Sequence, residues 1–206
     1  MENKDFIDEY FREMGKVIDK ISKEDIDKVV EILFEAWKTG SKIFAMGNGG
    51  SASTATHFVA DLSKTSIVED KKRFKVIGLT DNIPLMSAWT NDSGWENLYT
   101  GQLENLLEKG DVVVGFSVHG GSGSGNAGLW SQNLPKAMKL ANEKGAKTIG
   151  FSGFDGGAFK TIADACVVVP INSTPQIESF HVVLHHLIVF CLKEKIRNER
   201  SNSSGR

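Results

Sequence analysis

The spacing of hydrophobic positions changes near residue 40. Before that point apolar side chains recur every three or four residues, as at Phe6, Tyr10 and Met14, which predicts two amphipathic helices within residues 3–39. After it, short apolar runs end in glycine or small polar residues. These runs, which predict five β-strands, lie at 42–46, 74–79, 111–116, 148–151 and 165–169.

Helical patterns separate the five predicted strands. Alternating strands and helices indicate βαβ units, and therefore a parallel sheet with helices on both faces. We predict one domain over residues 1–200, with helices in 1–40 that pack on the sheet or on a neighbouring subunit, and a flexible tail at 201–206. The remaining helices are predicted at 51–64, 84–107 with a break near 92–94, 131–144, 157–163 and 174–195.

Composition narrows the expected partners and compartment. Twenty-four basic and 26 acidic side chains among 206 residues give a net charge of −2, so we expect neither nucleic acid nor a membrane as a partner. The charged N-terminus is followed by no apolar segment, which predicts a cytoplasmic protein without a signal peptide. Cys166 and Cys191 lack CxxC spacing and are predicted to be buried, inert thiols.

A glycine-rich turn at 47–51 connects the first predicted strand to a helix. Glycines allow a sharp turn and a close backbone approach to a ligand, and the helix N-terminus offers unpaired N–H groups to an anion. The hydroxyl of Ser51 adds a donor. Because the turn matches neither GxGxxG nor GxxxxGK[ST], neither a dinucleotide fold nor a P-loop is indicated.

A second turn of this kind, at 117–122, follows the third predicted strand. One such turn is weak evidence, since any strand-to-helix connection favours glycine and serine. Two of them at the ends of parallel strands, where ligands bind in such sheets, predict a phosphate site formed by backbone and hydroxyl groups.

Histidines and carboxylates concentrate on two predicted helices. His57 and Asp61 are four residues apart and share a helix face, and Glu178 shares a face with His181 or His185 on the last helix, beside His186. Such groups suit acid–base catalysis or a divalent metal. A surface His–Asp pair, and one core histidine beside an exposed one, would also fit this spacing. The crowding of histidines favours one shared site.

These segments, together with Thr90–Trp95 and Lys147–Gly157, resemble the SIS (sugar isomerase) family, and within it the phosphoheptose isomerases. The resemblance extends over essentially the whole chain. It implies a three-layer α/β/α sandwich, a homotetramer with sites at subunit interfaces, and a small phosphorylated sugar as substrate. The implied reaction interconverts sedoheptulose 7-phosphate and D-glycero-D-manno-heptose 7-phosphate through an enediol, for heptose supply to surface polysaccharide.

The resemblance also implies roles for individual residues. Catalysis would fall to Asp61 and His186. Zinc or another divalent metal would be held by His57, Asp61, Glu178 and His186. The substrate would be bound by Asn48, Gly49, Gly50, Ser51, Asn91, Asp92, Ser117, Val118, His119, Ser122 and Glu178.

The chain departs from the family pattern at several of these positions. Asp61 replaces a glutamate and Glu178 a glutamine, while Val118 and His119 stand where hydroxyl residues are usual. The stretch 123–130 lengthens the loop that follows. These departures leave two alternatives open: a non-catalytic SIS protein that binds phosphosugars or regulates a partner, and a SIS enzyme for a different phosphosugar.

Overall fold

The structure, a computed structural model, describes residues 2–121 and 131–199. Ser122, the stretch 123–130 and the predicted tail 201–206 lie outside the described residues, and the limit of a single domain at residue 200 stays a prediction. Five described strands form one parallel sheet in the order β2-β1-β3-β4-β5. The strands are β1 Lys42–Gly47, β2 Lys75–Gly78, β3 Val112–Phe116, β4 Lys147–Gly153 and β5 Ala165–Val169.

Helices cover both faces of the sheet, as the alternation of strands and helices predicted. The helices are α1 Asn3–Lys20, α2 Lys23–Thr39, α3 Gly50–Ala60, α4 Ile83–Ser93, α5 Leu98–Leu106, α6 Asn133–Glu143, α7 Phe159–Ile162 and α8 Thr174–Asn198. Successive side chains of β1 point to opposite faces of the sheet. Ile43 and Ala45 join the core beneath α2, α3 and α8, and Phe44 and Met46 join the core beneath α5, α6 and α7.

The predicted N-terminal pair consists of two unlike helices. Ser22 caps α2 by accepting a hydrogen bond from Asp25 N at 3.1 Å, and α2 packs on the sheet through buried side chains such as Leu33. In α1, Val17 is buried, but Phe6 and Phe11 are 60% and 68% exposed. The described part of the chain therefore leaves most of the apolar surface of α1 uncovered.

The strand order creates a crevice between β1 and β3. The chain leaves β1 for β2 on one side and later returns to β3 on the other, so α3 follows β1 onto one face while α6 lies on the opposite face. In open α/β sheets, ligands bind at such a switch point, beyond the carboxyl ends of the strands. Both predicted phosphate turns begin there.

One expectation about detail is confirmed and another needs correction. The predicted break near 92–94 is present: α4 ends at Ser93, and a 3₁₀ turn, Trp95–Asn97, precedes α5. The predicted buried pair of thiols is wrong for Cys191, which is exposed, while Cys166 is half-buried and its pKa is raised by burial. Cys191 lies on the outward face of α8 rather than on the face toward the sheet.

Among the described helices, α8 is long and apolar enough to cross a membrane by length and composition. Half of its most apolar stretch is buried inside the protein, with Ile188, Val189 and Leu192 fully enclosed in the core. That burial is typical of a core helix.

Candidate active site at the carboxyl edge of the sheet

The turn after β1 is shaped by its glycines. Gly49 adopts φ 58° and ψ −126°, a conformation open to glycine and costly for other residues. Gly50 begins α3 directly beside Glu178, whose carboxylate occupies the space that a Cβ would need. Ser51 follows in the first helical turn and is buried, with its backbone N–H donated to Asn48 O at 3.1 Å.

Asn48 is held in place by residues that are distant in the sequence. Its side-chain amide forms two reciprocal hydrogen bonds with the fully buried Asn133 of α6, at 2.9 and 3.0 Å. The Tyr99 hydroxyl donates to Gly47 O and lies 3.3 Å from Asn48 Oδ1. Burial raises the pKa of Tyr99, so its hydroxyl keeps the proton that it donates. Sequence reasoning missed Asn133 and Tyr99, because no local motif marks either residue.

The turn after β3 folds back on itself and on β4. Ser117 Oγ accepts a hydrogen bond from Gly121 N at 3.0 Å, and Val118 O accepts one from Gly153 N at 2.9 Å. The ring of His119 stacks on Phe154 with centroids 4.3 Å apart. Ser122, the predicted last donor of this turn, lies outside the described residues.

The two turns meet in one cavity of about 130 Å³, as the sequence analysis expected of a shared phosphate site. Among its described lining residues none is lysine or arginine. They are Asn48, Ser51, Phe116, Ser117, Val118, His119, Ser131, Leu134 and Glu178. Donors to an anion would therefore be backbone and side-chain N–H and O–H groups.

Asn91 and Asp92 lie elsewhere in this chain. They are exposed on α4, which buries no residue, and Asn91 Nδ2 donates to Asp92 Oδ1 at 2.7 Å. Asp92 lines a separate surface groove with Leu85 and Trp89. In the described residues neither side chain reaches the cavity between the two turns, so their contact with substrate stays a prediction.

Asp61 sits at a distortion of its helix. Directly after α3 the chain makes a π-helical turn, Asp61–Thr65, and such turns occur frequently at functional sites. Thr65 Oγ1 donates to Asp61 Oδ1 at 2.9 Å, and Lys193 Nζ of α8 donates to Thr65 O at 2.8 Å. These bonds fix one oxygen of the carboxylate and leave Oδ2 facing α8.

Three histidines surround Asp61 Oδ2. His186 Nε2 lies 3.2 Å from it, His185 Nδ1 3.5 Å and His57 Nε2 3.6 Å. His57 and His186 also lie 3.4 Å apart, Nε2 to Nε2. The structure therefore brings together His57, Asp61 and His186, with His185 as a neighbour that the resemblance did not assign.

His181 takes no part in this cluster. It is fully buried, and its Nε2–H donates to Ser152 O at 3.2 Å. Burial lowers the pKa of His181 to about 4. Burial, together with the nearby imidazoles of His186 and His57, lowers the pKa of His185 to about 4 as well, so both rings are neutral near pH 7.

The cluster fits a divalent cation. Donor atoms of His57, Asp61, His185 and His186 lie within 4.8 Å of one another, and imidazole and carboxylate are ordinary zinc ligands. Glu178, the fourth ligand implied by the resemblance, is not part of this group. It lines the cavity between the turns and a neighbouring groove that also contains Gly50 and His57.

Comparisons with known proteins agree with this fold. The model of the SIS domain matches residues 9–153. The lincomycin biosynthesis protein LmbN of Streptomyces lincolnensis is 42% identical over 84% of this chain, which spans 64% of that protein's length. A phosphoheptose isomerase of Geotalea daltonii is 37% identical over 90% of this chain and 93% of its own. The solved phosphoheptose isomerase GmhA of Neisseria gonorrhoeae superimposes with a TM-score of 0.82 at 28% identity, covering 94% of this chain and all of that one.

Proposed function

The chain belongs to the SIS domain family, and on that premise we propose that it is an aldose–ketose isomerase of a phosphorylated sugar. Its substrate pair is sedoheptulose 7-phosphate and D-glycero-D-manno-heptose 7-phosphate, which supplies heptose for surface polysaccharide. One observation carries the proposal. The turns after β1 and β3 line a single cavity, and Glu178 connects that cavity to the groove containing His57.

The phosphate is held in the cavity between the turns. Ser51 and Ser117 supply hydroxyl groups, and the N-terminus of α3 points the positive end of its dipole at the anion, worth about 0.3–2 kcal/mol. Asn48, fixed by Asn133, donates to the sugar. This arrangement orients the carbon chain of the substrate from the cavity past Glu178 toward the histidines.

Proton transfer is assigned to Asp61 and His186. Asp61 removes the proton from the carbon next to the carbonyl and returns it to the neighbouring carbon, which is the former carbonyl carbon. His186, 3.2 Å from Asp61 Oδ2, moves the proton between the two substrate oxygens. The intermediate is an enediol, and positioned acid–base groups of this kind contribute about 10²- to 10⁴-fold in rate.

A divalent metal, zinc as we propose, fits the cluster of His57, Asp61 and His186. When bound, it would polarise a substrate oxygen and offset negative charge that develops there. The residues themselves hold the substrate and carry the protons.

We place the enzyme in the cytoplasm as a homotetramer. The exposed apolar side chains of α1 support assembly, because Phe6 and Phe11 would remain in water in an isolated chain. Val183, Leu187 and Phe190, which recur along one side of α8, are also exposed. A neighbouring subunit covering α4 is also where we expect Asn91 and Asp92 to meet substrate.

A second candidate is an isomerase for a different phosphosugar. It is favoured by the 42% identity to LmbN, a protein of lincomycin biosynthesis, and by the shorter carboxylate at Asp61. A non-catalytic binding protein would not need ionisable groups at positions 61 and 186.

The test incubates the purified protein with sedoheptulose 7-phosphate and a panel of other phosphosugars in D₂O, with and without a chelator. Enediol chemistry predicts that solvent deuterium appears on the carbon next to the product carbonyl. Asp61→Asn should lower kcat by about 10²- to 10⁴-fold, and Asp19→Asn on the exposed face of α1 is the control.

The outcomes separate the candidates. Turnover of another phosphosugar in place of the heptose supports the second candidate. Binding of phosphosugars with turnover of none rejects the isomerase and leaves a binding protein. Full activity in Asp61→Asn removes Asp61 from the chemistry.

A further inference from the structure

His185 is a buried histidine whose polar atoms are unsatisfied. Its side chain is fully enclosed, and within the described residues neither Nδ1 nor Nε2 has a hydrogen-bond partner of good geometry. Asp61 Oδ2 is in the same condition. Buried polar groups in native proteins are nearly always paired, and an exception points to a water or an ion. His181 Nδ1 also has no partner, so this condition alone does not identify a ligand. Two such atoms that face each other from different helices, 3.5 Å apart, point to a shared one.

The spacing of the donors identifies the kind of ligand. Zinc bonds of about 2.0–2.1 Å in a tetrahedron place neighbouring donor atoms about 3.3 Å apart. From Asp61 Oδ2 the distances to His186 Nε2, His185 Nδ1 and His57 Nε2 are 3.2, 3.5 and 3.6 Å. The Nε2 atoms of His57 and His186 are 3.4 Å apart. These four distances match edges of a zinc tetrahedron, and the two remaining ones, from His185 to His57 and to His186, are within 4.8 Å.

Glu178 is poorly placed for this cluster. It is not among the residues whose donor atoms lie within 4.8 Å of one another, although it lines a groove together with His57. Its carboxylate instead lies against Gly50, beside the cavity of the two turns.

We propose that His185 is the fourth metal ligand of this protein, completing a set of three imidazoles and one carboxylate with His57, Asp61 and His186. The inference rests on the proposed function only in taking this cluster as the metal site of the isomerase. Glu178 is thereby released from the metal and faces the sugar, where its carboxylate accepts hydrogen bonds from hydroxyl groups.

The experiment measures zinc itself, in the absence of substrate. X-ray absorption at the zinc edge counts imidazole ligands, and calorimetric titration with zinc gives the affinity, for the wild type and for His185→Asn, His185→Gln and Glu178→Gln. The matched control is His181→Gln, which removes an equally buried histidine one turn earlier on α8.

The inference expects three imidazoles per zinc in the wild type and two in His185→Asn, with affinity lowered by about 100-fold or more, at or above the loss caused by removing an orienting group. Glu178→Gln and His181→Gln should keep three imidazoles. Two imidazoles in the wild type, a Glu178→Gln variant that loses the metal, or no zinc binding would each overturn it. If both His185 variants fail to fold, the imidazole count of the wild type decides.

The same measurements distinguish this inference from the proposed function. A three-imidazole site in a protein that isomerises no phosphosugar would reject the function and leave the ligand assignment standing. Isomerase activity with a two-imidazole site would reject the ligand assignment and leave the proposed function standing.

Discussion

Replacing Gly50 with alanine should impair the site by moving a side chain on another helix. A Cβ on Gly50 would lie 2.8 Å from Glu178 Cδ and 2.9 Å from Oε2, whereas non-bonded carbon atoms pack at about 3.5–4.0 Å. The carboxylate must therefore retreat by about 1 Å. The backbone at Gly50 accommodates alanine without strain, because Gly50 begins a helix and lacks the positive φ of Gly49.

The two consequences have opposite signs. Alanine at a compatible helical position stabilises a fold by about 0.4–1 kcal/mol, through the unfolded chain. A misplacement of about 1 Å near the reacting atoms can cost about 100-fold in rate, or about 2.7 kcal/mol. Gly50→Ala should thus be as stable as the wild type, or more so, while kcat/KM falls by up to two orders of magnitude.

A double-mutant cycle isolates the cause. We would measure kcat/KM for the wild type, Gly50→Ala, Glu178→Ala and the double variant, with thermal unfolding of each. If the alanine acts through Glu178, the double variant should equal Glu178→Ala alone. The free-energy effects of substitutions at independent sites add within about 0.3–0.5 kcal/mol. Additive effects on kcat/KM would therefore refute the action through Glu178 and show that the Cβ obstructs the substrate directly.

Two further predictions concern buried polar groups. Asn133→Leu removes the partner of the Asn48 amide and should lower the free energy of unfolding in urea by about 1–3 kcal/mol. Adding Asn48→Leu should recover most of that loss, because removing both partners is nearly neutral. A further loss of stability in the double variant would argue against the pairing. Burial lowers the pKa of His181 from 6.5 to about 4, so the unfolded chain binds a proton that the folded chain does not. The contribution of neutral His181 to the free energy of unfolding is complete above pH 6.5 and is lost as pH falls toward 4. The loss amounts to about 2 kcal/mol between pH 7 and pH 5. The free energy of unfolding in urea should therefore differ less between pH 7 and pH 5 in His181→Gln than in the wild type. An unchanged difference would refute the lowered pKa of His181.

The sheet and its turns could be predicted from the sequence because their signals are local. An apolar run that ends in glycine, such as 42–47, contains the whole strand and marks its end. Parallel order then follows from the intervening helices, and with it the meeting of both turns at one edge. The SIS fold and the common cavity of the two turns depend on information of this kind.

The exact membership of the site could not be predicted, because it depends on how helices rotate against one another. Helical spacing places His185 and His186 at different angles on α8, and the pattern alone allowed either to face the core. The structure shows that His185 is buried and still faces Asp61, the residue at which the π-helical turn Asp61–Thr65 begins. Asn133 was missed for a similar reason, since its partner Asn48 lies 85 residues away.

The departures at positions 61 and 178 become intelligible when they are considered together with the histidine at 185. An aspartate reaches less far than a glutamate, yet Asp61 Oδ2 lies within 3.6 Å of three imidazole nitrogens, because α8 carries two consecutive histidines beside it. Glu178 lines both the cavity of the two turns and the groove that contains His57, where its carboxylate would accept hydrogen bonds from sugar hydroxyl groups. On the proposed ligand set, α8 would bind the metal and the substrate through different residues. An enzyme built in this way should tolerate glutamine at 178 in its metal site and lose discrimination between sugars there.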